Sequence, residues 1–163
     1  MDVQGKEGQL SYKNHLGIDR GYGFIRRFTV THAARHDGSQ LGAVLDPRNT
    51  GSAVWAGDRR SAKGHTAYRS KATLDALERR GLRPEFQRAK PRARPMPTHI
   101  ARGNTTRARM RSLVEHVFAT EKRRMGLVVR SIGLVRATAR ITLANLAYNM
   151  RRLVWIEGRG APA

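Results

Sequence analysis

An α/β or α+β domain is the fold class the sequence predicts, and three observations predict it. β-rich segments with turn glycines come early, two long stretches with helical periodicity come late, and shorter helix and strand signals alternate between them. The length, 163 residues, suits one domain with a real core, and a hydrophobic content of 39% argues against wholesale disorder.

Residues 11–31 read as a hairpin. "YKNHLGID" alternates between apolar and polar, "RGYG" supplies turn glycines, and "FIRRFTV" is a β-rich return. "HDGSQLGAVLD" reads as a short helix with Asp37 or Ser39 near its N-cap. "SAVWAGD" is a short apolar run, a buried strand that stops at Asp58, and "RRSAKGH" is a polar loop. "YRSKATLDALERRG" predicts a helix over 70–80, with Ala72, Leu74 and Leu77 inward and Gly81 at the C-terminal cap. "EFQRA" reads as another strand. Residues 89–97, "AKPRARPMP", form a basic proline-rich linker in which no helix can run.

A helix over 105–125 follows, with Met110, Leu113, Val114 and Val117 at i, i+3, i+4 and i+7 of one apolar stripe. A last helix covers 136–156. There Leu143, Leu146, Ala147, Met150, Leu153 and Val154 make one stripe, and Ile141, Tyr148 and Trp155 make a second, so packing on two sides is expected. Trp55 and Trp155 each lie in an apolar run and are expected in the core. No internal repeat is visible.

Charge dominates the composition. Thirty-two Lys and Arg face 12 Asp and Glu, for a net charge of +20. Such self-repulsion is relieved by a polyanion. Nucleic acid is the first candidate, because each neutralised phosphate also releases a counterion. An anionic membrane surface is the second. No apolar run approaches the ~20 residues needed to span a bilayer, and the N-terminal residues lack the apolar segment of a signal peptide. Absence of cysteine excludes disulfides and thiolate zinc sites and fits an intracellular protein.

Into the basic stretch "RMRSLVEHVFATEKRRMG" the sequence places Glu115. At about 100° per residue, Arg111, Glu115 and Lys122 fall within about 40° of one another, beside the apolar stripe. One reading is a surface ion pair worth a few tenths of a kcal/mol. The other is a metal-binding carboxylate flanked by cations that grip phosphates, as two-metal phosphodiester chemistry requires. His32 and His36 have the i, i+4 spacing of a metal site but lie at a strand-to-helix junction. His116 points about 100° away from Glu115 and reads as a helix-surface residue.

The wider sequence favours the second reading. Arg-x3-Glu-x6-Lys, here Arg111, Glu115 and Lys122, resembles the signature around the third acid of DDE transposases. The words "SYKNHLGIDRGYGFIRRFTVTHAARHDGSQLGAVLD", "TAYRS", "LERRGL", "RARMRSLVEHVFATEKRRMGL" and "ITLANLAYNMRRLVW" resemble, in order, the bacterial insertion-sequence transposases named for insertion sequence five. The resemblance implies a ribonuclease-H-like mixed sheet flanked by helices, in which three acids bind two Mg²⁺ or Mn²⁺ ions. It implies cleavage at transposon ends and strand transfer into target DNA. Double-stranded DNA is then the partner, with no membrane, a homo-oligomer forms on DNA, and the location is cytoplasmic, on the nucleoid. Glu115 would be the third acid, with Arg111 and Lys122 on DNA beside Arg107, Arg109, Arg123 and Arg124.

Three departures qualify the resemblance. The family's first Asp lies on an opening strand upstream of the "SYKNH" hairpin, and that strand is expected to be missing here, since neither Asp2 nor Asp19 replaces it. The second Asp directly precedes a "TAYRS" word, where this chain has His65; Asp58, seven residues earlier, is the candidate catalytic and metal-binding substitute. The family's Tyr three residues before the Arg is Ala108. The expectation is therefore a single, N-terminally truncated catalytic domain over 1–163, catalytically incomplete. A non-catalytic basic nucleic-acid-binding protein is the alternative, and a decayed fragment the third reading.

Overall fold

The computed structural model describes residues 12–48, 51, 53–55, 68–91, 93–128 and 132–160. Strands β1 (Tyr12–Ile18) and β2 (Ile25–His32) pair antiparallel. A 3-10 turn, Asp37–Gln40, leads into α1 (Leu41–Val44). Strand β3 (Ala53–Val54), helix α2 (Lys71–Glu78) and strand β4 (Arg83–Pro84) follow, with β3 and β4 parallel. Two 27-residue helices end the chain, α3 (Thr98–Arg124) and α4 (Leu134–Gly160).

The hairpin is a middle layer, because side chains alternate between the two faces of a strand. On one face Asn14, Leu16 and Ile18 meet α3 and α4. Asn14 Nδ2 donates to Asn145 Oδ1 at 3.0 Å, while Leu16 and Ile18 join Ile25, Phe28, Val117 and Tyr148 in one core cluster. On the other face Lys13 Nζ reaches Asp37 Oδ1 at 2.9 Å, and Gly17 lies so close to the end of α1 that any Cβ there would run into the Val44 carbonyl. Beyond α1 a second cluster joins Leu41, Val54, Leu77 and Phe86.

Local chemistry explains the turns. The Asp19 carboxylate accepts the N–H groups of Tyr22 (2.6 Å), Gly23 (3.2 Å) and Phe24 (2.9 Å), so it shapes the loop between the strands. Ser70 caps α2, its Oγ accepting from the Thr73 N–H at 3.1 Å. At the other end Gly81 has φ +65°, with its N–H bonded to the Glu78 carbonyl and the Leu82 N–H bonded to the Leu77 carbonyl. That pair of bonds is a Schellman cap, and it needs the left-handed residue that glycine supplies.

The fold is mixed α/β, and among the described residues β1–β2 and β3–β4 form two separate two-stranded sheets. Several local expectations are corrected. Asp37 and Ser39 do not cap the short helical segment: His36 holds the N-cap position, and Asp37 is drawn to Lys13 instead. Ala72 is exposed on α2. The strand expected at "EFQRA" lies just upstream as β4, although the Glu85 N–H still bonds the Val54 carbonyl. Helix α3 starts at Thr98, seven residues before the expected start, because Pro97 sits outside the first helical residue, where its missing N–H costs nothing.

The largest correction concerns α4. Its buried face is Ala137, Ile141, Ala144, Asn145 and Tyr148, while Leu143, Leu146, Met150, Leu153 and Val154 are all exposed. Small residues let the hairpin approach that face. Asn149 then clamps Ile25 with two bonds, accepting its N–H and donating to its carbonyl, both at 2.9 Å. Trp155 is not core either: it is 47% exposed, stacked by the guanidiniums of Arg152 and Arg159 at 4.2 and 4.6 Å from the ring. Trp55 is half-buried at the end of β3. No helix among the described residues is long and apolar enough to cross a membrane.

Candidate nucleic-acid interface

Helix α3 carries every described site residue that the sequence singled out. Its inward face holds Val117, fully buried against Tyr148 and Ile25. Around the helix from that face, Arg107, Arg111 and Glu115 follow one another at i, i+4 and i+8, so they form a ridge that drifts only about 40° per step. Lys122 returns to within about 20° of Glu115 two turns further on. The continuous helix through Arg124 thus brings Arg111, Glu115 and Lys122 onto one side.

The ridge runs from two cations to a carboxylate. Arg111 Nη2 meets Glu115 Oε1 at 3.1 Å, both side chains half-buried. Arg107 is half-buried too, and its Nε and Nη2 both donate to Glu85 Oε2, at 3.2 and 2.9 Å. Lys122, Arg123 and Arg124 lie exposed in the last turn of α3, where cations also complement the helix dipole. Arg109 is exposed on another side of the helix. His116 is exposed, as the spacing predicted, and His32 and His36 are exposed without forming part of a metal cluster. Asp58 and His65 lie outside the described residues.

One residue of α3 escaped sequence reasoning. Glu121 is 2% exposed and its Oε1 has no hydrogen-bond partner. Burial pushes its carboxyl up to about 7. Tyr148, beside it, is raised by the same burial, with a smaller contribution from the Glu121 charge. The signal was available: Glu121 lies at i+7 from Val114 and i+4 from Val117, the next place in the apolar stripe.

The family model for the transposase DDE domain matches residues 2–150. The chain belongs to that family. Comparisons with curated proteins and with solved structures found no match. Membership places DNA cleavage and strand transfer at the level of the family, which depends on a divalent metal. The described residues do not fit that ion. Mg²⁺ asks for near-octahedral oxygen ligation, yet among the described residues no three His, Cys, Asp or Glu converge. Glu115 contributes one carboxylate, already engaged by a guanidinium.

Proposed function

We propose that the chain is the DNA-gripping and acid-bearing part of a bacterial insertion-sequence transposase with a ribonuclease-H-like ancestry, acting on transposon ends and target DNA. The observation that carries this reading is the shared side of α3 on which Arg111, Glu115 and Lys122 stand. A strand laid along that side meets cations before and after the carboxylate. Arg111 has a second function there: its guanidinium holds the Glu115 carboxylate in place. Exposed Arg109, Arg123 and Arg124 add phosphate contacts without sequence discrimination. Glu115 is the third acid and Asp58 the candidate second, and without a full set of acids the chain alone is catalytically incomplete. Assembly with further copies on DNA is part of the same reading.

The test pairs binding with cleavage. Purified chain is incubated with duplex DNA and Mg²⁺ or Mn²⁺, beside Glu115→Gln. DNA binding in both, with no strand transfer in either, is the expected result. Metal-dependent cleavage that disappears in Glu115→Gln would place the complete site in this chain. The alternative, a non-catalytic basic nucleic-acid-binding protein, is favoured by the net charge of +20 alone. It would stand if Arg111→Ala and Lys122→Ala weakened binding no more than loss of any other exposed cation.

A further inference from the structure

A cleft of about 440 Å³ opens between α2, β4 and the N-terminal half of α3. Four arginines are among its lining residues, Arg69, Arg83, Arg88 and Arg107. Its apolar wall is made by Leu74 and Phe86, which belong to the second core cluster and are therefore fixed. Glu78 is the one carboxylate in the lining. The volume falls in the range of small-ligand sites, ~300–1,000 Å³. Four arginines against the single lining carboxylate of Glu78 give the cleft a cationic balance that attracts an anion.

The cleft is built rather than accidental. Glu85 stands behind it and bridges two of its arginines, with Oε1 at 3.1 Å from Arg83 Nε and Oε2 at 2.9 Å from Arg107 Nη2. The backbone of Arg88 is stitched to α3 by Asn104, whose Oδ1 accepts the Arg88 N–H and whose Nδ2 donates to the Arg88 carbonyl, both at 2.9 Å. Gln87 Nε2 adds a bond to the Asn104 carbonyl at 3.3 Å. The side chains of Arg69 and Arg88 remain exposed at its rim, available to a ligand.

We infer that this cleft is a phosphate-backbone subsite for a DNA strand whose path continues to Glu115. The inference rests on the transposase reading and adds a second point of grip to it. Forked guanidiniums match phosphate oxygens two at a time. Arg107 is the first residue of the ridge that continues through Arg111 to Glu115. Eight helical residues separate Arg107 from Glu115, or about 12 Å at 1.5 Å per residue. At about 3.4 Å per nucleotide, the subsite holds the strand three to four nucleotides from the Glu115 carboxylate.

The test is a salt titration of duplex-DNA binding by the full chain. Each lost phosphate contact lowers the slope of log K against log salt by about 0.9. Arg69→Ala/Arg88→Ala should lower it by about 2, and Arg69→Gln/Arg88→Gln, which keeps more of the side-chain packing, should match it. Arg20→Ala/Arg151→Ala, a charge-matched pair of exposed residues away from the cleft, should change the slope by less than half as much. Equal slopes for the cleft pair and this control overturn the subsite. If Arg111→Ala/Lys122→Ala still exceeds the control in that case, the transposase face survives and only the subsite falls. Inorganic phosphate at matched ionic strength should compete no better than chloride; strong competition would assign the cleft to a free phosphate instead. Because the chain has no cysteine, a DNA-cleaving chelate can be tethered at Ala89→Cys or at His116→Cys. Scission centres three to four nucleotides apart support the path, and coincident centres overturn it.

Discussion

Glu121 continues the apolar stripe of α3 by one turn and so is buried as a carboxylate, near enough to Tyr148 to act on its hydroxyl. In the unfolded chain its proton leaves near 4.5, whereas burial holds it to about 7 in the fold. Between these values the native state binds more protons than the unfolded state. Stability is therefore fully present below about pH 4.5, falls as pH rises, and levels off above about pH 7. At ~1.4 kcal/mol per unit the loss is on the order of 3 kcal/mol. Glu121→Gln should flatten this dependence, leaving the variant more stable at pH 8 and no more stable at pH 4.5. Denaturant titrations across that range check it, and parallel curves for the two chains would show that the carboxyl is not responsible. The same scale separates Asp19 from catalysis: its carboxylate is consumed by three N–H groups of the hairpin turn.

At the scale of elements, α4 decides how the hairpin is held. Tyr148→Ala removes a buried ring between β2 and α3 and should cost about 3 kcal/mol or more. Leu146→Ala and Met150→Ala touch the exposed stripe and should stay within about 0.5 kcal/mol of the parent chain. Thermal melts of the three variants distinguish the two stripes directly; a large loss at Leu146 or Met150 would mean that the Leu-rich side is the packed one. Between the hairpin and α1, Gly17→Val must displace the Val44 carbonyl, so overpacking of about 1–3 kcal/mol is expected from the same measurement.

At the scale of the whole molecule, 32 cations against 12 carboxylates make duplex-DNA affinity steeply salt-dependent. Within that general attraction, Arg111→Ala and Lys122→Ala should each weaken binding more than Arg26→Ala. Arg26 is already occupied by Asp46, its Nε and Nη2 at 3.1 and 3.0 Å from Oδ2, on the hairpin side of the molecule. Anisotropy titrations of the three variants at one salt concentration provide the comparison, and equal losses would reduce the motif to bulk charge. No Mg²⁺-dependent strand transfer is expected from the chain alone, since among the described residues no three His, Cys, Asp or Glu converge on a metal position.

Local patterns were enough for much of this. Strand alternation and turn glycines located β1 and β2, helical periodicity located α2, α3 and α4, and the spacing of Arg111, Glu115 and Lys122 put them on one side of a helix. The words around that motif led to the DDE family, which the match over residues 2–150 establishes. Each of these signals lives within a few turns of chain, where backbone geometry alone relates one residue to the next. What lay beyond that range was decided by tertiary packing. Periodicity marks a stripe but not its partner, so it could not say that α4 would bury Ala137, Ala144 and Asn145 and leave its leucines in solvent. Periodicity put Glu121 on the apolar stripe of α3, but only the packed fold shows that this carboxylate is enclosed, at 2% exposure. The arginine cleft is the clearest case: Arg69, Arg83, Arg88 and Arg107 are spread over 39 residues of sequence, and bonds from Glu85, Gln87 and Asn104 draw the segment around β4 and helix α3 together.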